Sequence, residues 1–267
     1  MAKGDAVNGT SSSTRAVLYV IPGSHACRSA MLMLEYKSIP YRTVELLTGL
    51  HPLLVRLRGF PGHRTPIREV DGHTPRPLAL TDRAGTVPAL SLDTERIQTN
   101  HEIARFLERI QPEPELLPAD PEHRMAVEEV ERWADEVLQM TARRLLLATA
   151  ARGLDAMRDR GGKGRLGALL ARNELRRAFA GRGARFLFSA PGAYEQQLLD
   201  QIPAMLDRVD GWIDTGVLGA PALTVADFMV TPSLALLSYR EDLNSQIAAR
   251  AAGELLQRVL PEPAQAA

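Results

Sequence analysis

The sequence predicts an α/β domain followed by an all-α helical bundle. Three observations carry this expectation: a strand–helix–strand pattern near the start, a proline-punctuated break at Gln111-Pro112-Glu113-Pro114-Glu115, and purely helical periodicity beyond it. The 267 residues suffice for two ordinary domains, and 45% hydrophobic with 24% charged residues can build a core. The expected division is a flexible polar tail over 1–15, an α/β domain over 16–109 with an insertion near 59–84, a linker over 110–119, and a helical domain over 120–260.

Each element has a local reason. Val17 to Ile21 is short, β-branched and stopped by Pro22-Gly23, which predicts a buried strand. Cys27 to Lys37 places Ala30, Met31 and Leu34 on one helical face, and Ser38-Ile39-Pro40 ends that helix. Tyr41 to Leu46 reads as a second strand, parallel to the first with a right-handed crossover. A short helix is expected over Leu50 to Leu57. A hairpin follows at Ala89–Leu92 and Arg96-Ile97-Gln98, then a helix over Asn100 to Arg109, with Asn100 as its N-cap. Asp120-Pro121 starts a long helix to about Arg152. Further helices are expected near 165–180, 192–214, 225–238 and 243–258. The fourth of these five carries its own start signal: Leu223-Thr224-Val225-Ala226-Asp227-Phe228 combines a capping box with a hydrophobic staple, so its first turn should be buried.

Composition excludes several classes. Net charge is zero, which argues against a nucleic-acid partner, since phosphate binding needs a positive field. No run of about eighteen apolar residues exists, so no membrane span is expected. The lone cysteine, Cys27, rules out an internal disulfide and suits a reducing, cytoplasmic setting. The six histidines show no metal-ligand spacing, and no metal is expected. The basic stretch from Arg143 to Arg185 admits an anion site, but reads first as a solvated helical face.

Two motifs carry chemistry. Ser24-His25-Ala26-Cys27-Arg28 follows the first strand, and Gly85-Thr86-Val87-Pro88-Ala89-Leu90 opens the hairpin. In that order and spacing, together with the Thr224-x-x-Asp227 box, the chain resembles a divergent bacterial member of the glutathione S-transferase-like proteins. The resemblance implies a thioredoxin-like N-terminal domain, an all-α C-terminal domain and a cleft between them. It also implies a homodimer, with glutathione or another low-molecular-weight thiol (mycothiol is one alternative) as co-substrate. The reaction implied is attack of the thiol on a hydrophobic electrophile, by conjugation or isomerisation.

Carried over residue by residue, the resemblance makes Ser24 the hydroxyl that donates to the thiol sulfur and favours the reactive thiolate. The same residue fits a plain helix cap. Cys27 takes the second motif position, either as a reactive thiol or as a small buried apolar residue. Val87 and Pro88 match the family's cis-proline site, whose backbone pairs with the peptide part of the thiol. Gln98, Thr99 and Asn100 fall where the family holds the γ-glutamyl end, but Thr99 lacks the carboxylate or amide usual there. His25 is expected in a solvated loop. Two rivals follow: a non-catalytic ligand-binding or protein-interaction module on the same fold, and a Cys27-dependent thiol–disulfide oxidoreductase.

Overall fold

The computed structural model describes residues 16–62, 87–152, 164–167 and 192–263. The first part is a mixed four-stranded sheet in the order β2-β1-β3-β4, where β1 is Ala16–Val20, β2 Tyr41–Glu45, β3 Ala89–Leu92 and β4 Glu95–Gln98. β1 runs parallel to β2 and antiparallel to β3, which forms a hairpin with β4. The central strands β1 and β3 are covered on both faces, which is why their sequences are apolar runs rather than alternations. β2 lies at an edge and is mostly exposed, with Arg42 and Glu45 blunting it against further pairing.

Helix α1 (His25–Tyr36) is the crossover between β1 and β2, α2 (His51–Arg56) follows β2, and α3 (Asn100–Ile110) follows β4. The cap of α3 is Thr99, whose hydroxyl accepts the Glu102 amide at 3.2 Å; Asn100, which the sequence suggested as the cap, is instead the first helical residue, so the cap lies one position earlier. The rest is helical: α4 (Pro121–Trp133), a π-helical turn over Ala134–Leu138, α5 (Gln139–Arg152), α6 (Gly192–Asp214), α7 (Val225–Leu237), α8 (Glu241–Ala248) and α9 (Ala251–Val259). The single helix expected over about 120–152 is thus interrupted by the π turn.

The helix expected near 243–258 is two helices broken at Ala249–Arg250. Asp210 accepts the Ala252 amide at 2.9 Å and pairs with Arg250 at 3.0 Å, capping α9 from α6. A side chain at Gly253 would collide with the Ile247 backbone, so glycine permits the tight corner. Periodicity does not register a break made by a partner helix. The helix expected near 165–180 and most of the 59–84 insertion fall outside the described residues.

Helix α7 is buried along its whole length and forms the spine of the molecule. Its capping box is formed: the buried Asp227 carboxylate accepts the Thr224 amide at 2.8 Å and the Gly219 amide at 2.7 Å. Tyr36 at the end of α1 packs on Phe228 of α7 with ring centres 5.1 Å apart. Next to it, the fully buried Lys37 ammonium donates to Glu108 at 2.7 Å, the Gln111 carbonyl at 2.7 Å and the Pro112 carbonyl at 2.8 Å. All three of its N–H groups are thereby satisfied, the condition for burying a lysine. The Leu116 carbonyl accepts the Val225 amide at 2.9 Å, so the segment between α3 and α4 is pinned to both halves.

Candidate functional site

The sheet and helices leave a cavity of about 230 Å³ where the first turns of α1 and α3 meet α5. Its sheet-side wall contains Ser24, Val87, Pro88, Gln98, Thr99 and Asn100, six residues that the sequence singled out in three separate segments. The Val87–Pro88 peptide bond is cis. The Ser24 hydroxyl accepts the Cys27 amide at 3.2 Å and so caps α1. A hydroxyl also carries one donor, and Ser24 lies within hydrogen-bond reach of the Cys27 thiol as well. Gln98 accepts the Gly62 amide at 2.8 Å, and the Asn100 amide group donates to the Ala26 carbonyl at 3.0 Å.

Thr99 sits at φ 69° and ψ 149°. A β-branched residue is a genuine outlier there, at a cost of about 1–3 kcal/mol. The surroundings therefore over-determine this bend: β4 ends on one side of it, and the Asn100 bond to Ala26 holds the other.

Cys27 is not brought to the site. It is 1% exposed, lies in the hydrophobic core and does not line the cavity. Burial pushes its thiol up to about 11, despite the lowering effect of the Ser24 hydrogen bond. An uncharged, enclosed thiol is a poor nucleophile.

His25 departs from the sequence expectation in the other direction. It is 5% exposed rather than solvated, and it lines the cavity. Burial, aided by the Arg143 charge, lowers its pKa to about 3, while a hydrogen bond to the Gln139 backbone opposes the shift. The ring is therefore neutral. Its second nitrogen, Nε2, is buried without a hydrogen-bond partner among the described residues. His51 lines the same cavity, and burial and Arg143 lower its pKa to about 4.

The helical wall was not legible in advance. It presents Asp135, Gln139 and Arg143 alongside Met140, Leu146 and Leu147. Asp135 accepts from the Gln139 side chain at 3.2 Å. Arg143 thus belongs to the cavity and its neighbour Arg144 is fully buried, so the expected solvated face does not hold for these two residues; most of the stretch from Arg143 to Arg185 lies outside the described residues. The one signal available was spacing: residues 135, 139, 143 and 147 recur every four positions, beside the buried stripe 134, 138, 142 and 145. Among the described lining residues, Asp135 is the only acid, and the leucines and Met140 make that wall largely apolar. Among the described residues, no group of three His, Cys, Asp or Glu side chains could hold a metal ion, and no helix is long and apolar enough to cross a membrane.

A thioredoxin-like mixed sheet, a following helical domain and a cleft between them together define the glutathione S-transferase fold. Residues 18–115 match the family described as "Glutathione S-transferase, N-terminal domain". The chain thus has the glutathione S-transferase fold, and its residues 18–115 are similar to that family's N-terminal domain. Solved structures with the same fold include a GST-like protein from Pseudomonas syringae, at 20% identity and TM-score 0.55, covering 94% of this chain and 68% of that one. A glutathione S-transferase of Ceriporiopsis subvermispora in complex with glutathione is similar at 17% identity and TM-score 0.58, over 92% of this chain and 98% of that one. A glutathione S-transferase from Sinorhizobium meliloti matches at 15% identity and TM-score 0.56, over 92% and 87% of the two chains. No curated protein sequence is significantly similar to this one.

Proposed function

We propose that this protein binds a low-molecular-weight thiol of the glutathione type in the cleft and activates it for attack on a hydrophobic electrophile. The observation that carries the reading is the convergence of Ser24, Val87, Pro88, Gln98, Thr99 and Asn100 on one cavity. The opposite wall supplies the apolar surface an electrophile needs, from Met140, Leu146 and Leu147. A similar structure binds glutathione, which supports the choice of ligand class.

The chemistry follows from Ser24. Its oxygen caps α1, and its O–H can turn toward a sulfur placed at the helix start. Donating to the sulfur favours the thiolate, as does the positive end of α1. The thiolate then forms a carbon–sulfur bond either by adding to an electron-poor double bond, whose π pair takes up a proton in place of the one the thiol lost, or by displacing a leaving group that departs with the bonding pair. Isomerisation follows when the addition reverses after rotation about the former double bond. Thr99 supplies no carboxylate for a ligand ammonium, so the thiol's amino end is held differently from the family's usual way. The same proposal includes a homodimer in the cytoplasm; the exposed leucines Leu50, Leu53 and Leu57 on and beside α2 offer an apolar surface for a second copy.

Isothermal titration with glutathione and then with mycothiol tests the reading. Saturable binding of one of them is expected, and no binding of either at millimolar concentration would leave a non-catalytic module on the same fold. Ser24→Ala should raise the pKa of the bound thiol by about one unit, the equivalent of one hydrogen bond, and move the acid limb of the pH–rate profile with it. An unmoved profile reduces Ser24 to a helix cap.

A further inference from the structure

Arg143 stands on the helical wall of the cavity, among Met140, Leu146 and Leu147. Its Nη2 rests on the Met140 sulfur at 3.6 Å, a weak acceptor. A guanidinium set in so apolar a wall is a poor surface for plain hydrocarbon and a good one for an anion.

The charge reaches across the cavity. It bears on His25 at the start of α1 and on His51 at the start of α2, and no carboxylate among the described residues counters it at either ring. Asp135, the one acid among the described lining residues, accepts from Gln139 at 3.2 Å. The first turns of α1 and α3 open on the same cavity and add the positive ends of two helices. The field inside is therefore positive. A thiolate beside Ser24 draws on the end of α1, while Arg143 lies on the other wall, next to the second guest.

We infer that Arg143 is a specificity-determining residue that selects an electrophile carrying a carboxylate, gripped by the guanidinium fork while its carbon skeleton lies on Leu146 and Leu147. The inference rests on the reading of the cleft as a thiol-transferring site and names the class of its second substrate, an aromatic or unsaturated acid. The thiol is another source of carboxylate, and the arms of the test separate the two.

The test is titration of the full chain with 3,5-dinitrobenzoate and 3,5-dinitrobenzamide, an unreactive pair of similar shape that differ in charge, and with glutathione. Wild type should bind the benzoate saturably and the amide about tenfold to a hundredfold more weakly. Arg143→Gln should remove that preference, and Arg143→Lys, which keeps the charge, should keep part of it. With 4-chloro-3,5-dinitrobenzoate, whose chloride the thiolate displaces, the loss in Arg143→Gln should appear chiefly in KM. The His51 ring reports the same event without a variant. A benzoate paired with Arg143 cancels the charge that bears on His51, so the ring's pKa should rise from about 4, and the amide should not raise it. Equal affinity for benzoate and amide, no binding of benzoate, or a His51 pKa that the two probes move alike overturns the inference. So does an Arg143→Gln variant that binds glutathione more weakly and benzoate as before, since Arg143 then holds the thiol's own carboxylate. The thiol reading fails separately: benzoate held at Arg143, with no glutathione bound and no chloride displaced, ends the transfer reaction and leaves the carboxylate site standing.

Discussion

The Asn100 side chain donates to the Ala26 carbonyl at 3.0 Å, tying the first turn of α3 to the first turn of α1. The two motifs that the sequence keeps far apart are thereby one structural unit. The residues on either side of this bond, Ser24, His25 and Thr99, all face the cavity. Four consequences of this arrangement and of the packing behind it can be measured.

Cys27 should be inert in the folded protein. It is enclosed and its pKa is pushed up to about 11, so a thiol reagent should label it only after denaturation. Cys27→Ala should keep turnover. It should also lower the bound thiol's pKa slightly, because the Ser24 hydroxyl no longer has an internal sulfur to satisfy. Loss of turnover in Cys27→Ala would bring back the thiol–disulfide enzyme.

Thr99→Gly sets three effects against one another. Relief of the φ 69° backbone returns about 1–3 kcal/mol. Extra freedom in the unfolded chain costs about 0.5–1 kcal/mol, and the weaker cap a few tenths. The net expectation is a gain of up to about 2 kcal/mol in urea unfolding. A loss of stability would mean that the strain is not where the backbone places it.

Lys37→Met should cost about 3–5 kcal/mol, because it strands a carboxylate that is mostly buried and leaves two carbonyls unpaired. Adding Glu108→Leu should restore only part of this. The Gln111 and Pro112 carbonyls stay without their donor in the double variant, and Leu116 loses the Glu108 oxygen that accepts its amide at 2.9 Å. Thermal midpoints of the single and double variants decide the point.

His25 should make the fold acid-sensitive. Its folded pKa, about 3, lies below the unfolded value of 6.5. Between those two values the unfolded chain binds a proton that the folded one does not, so stability is full above the unfolded pKa and falls as pH drops through the window. The slope from this one group is about 1.4 kcal/mol per pH unit. His51, lowered to about 4, adds to it over most of the same range. His25→Phe should flatten the pH dependence of urea unfolding between about pH 6 and 4 by up to one proton. An unchanged slope would place His25 in contact with water.

The sequence revealed those features whose causes are local. The Pro22-Gly23 stop, the Asp120-Pro121 start and the Thr224-x-x-Asp227 box each act within a few residues, and each lies where the chain order suggested. Ser24, Val87 and Pro88 were readable because their motifs are contiguous. His25 and Arg143 were misjudged because their surroundings come from far along the chain. The named groups that act on the buried His25, Arg143 and the Gln139 backbone, lie more than a hundred positions later. Likewise, the break between α8 and α9 is imposed by Asp210 on another helix, and nothing in the 243–258 periodicity reports it.

The π turn at Ala134–Leu138 gives the long α4–α5 rod a surplus residue just before it reaches the cleft. Removing that residue would return the rod to regular winding and rotate everything beyond it by about 100°. Gln139, Arg143 and Leu147 would swing away from Ser24, while the sheet and its bends stayed as they are. Single-codon insertions and deletions at this one place are therefore a route by which relatives of this chain could exchange one guest for another without rebuilding the scaffold.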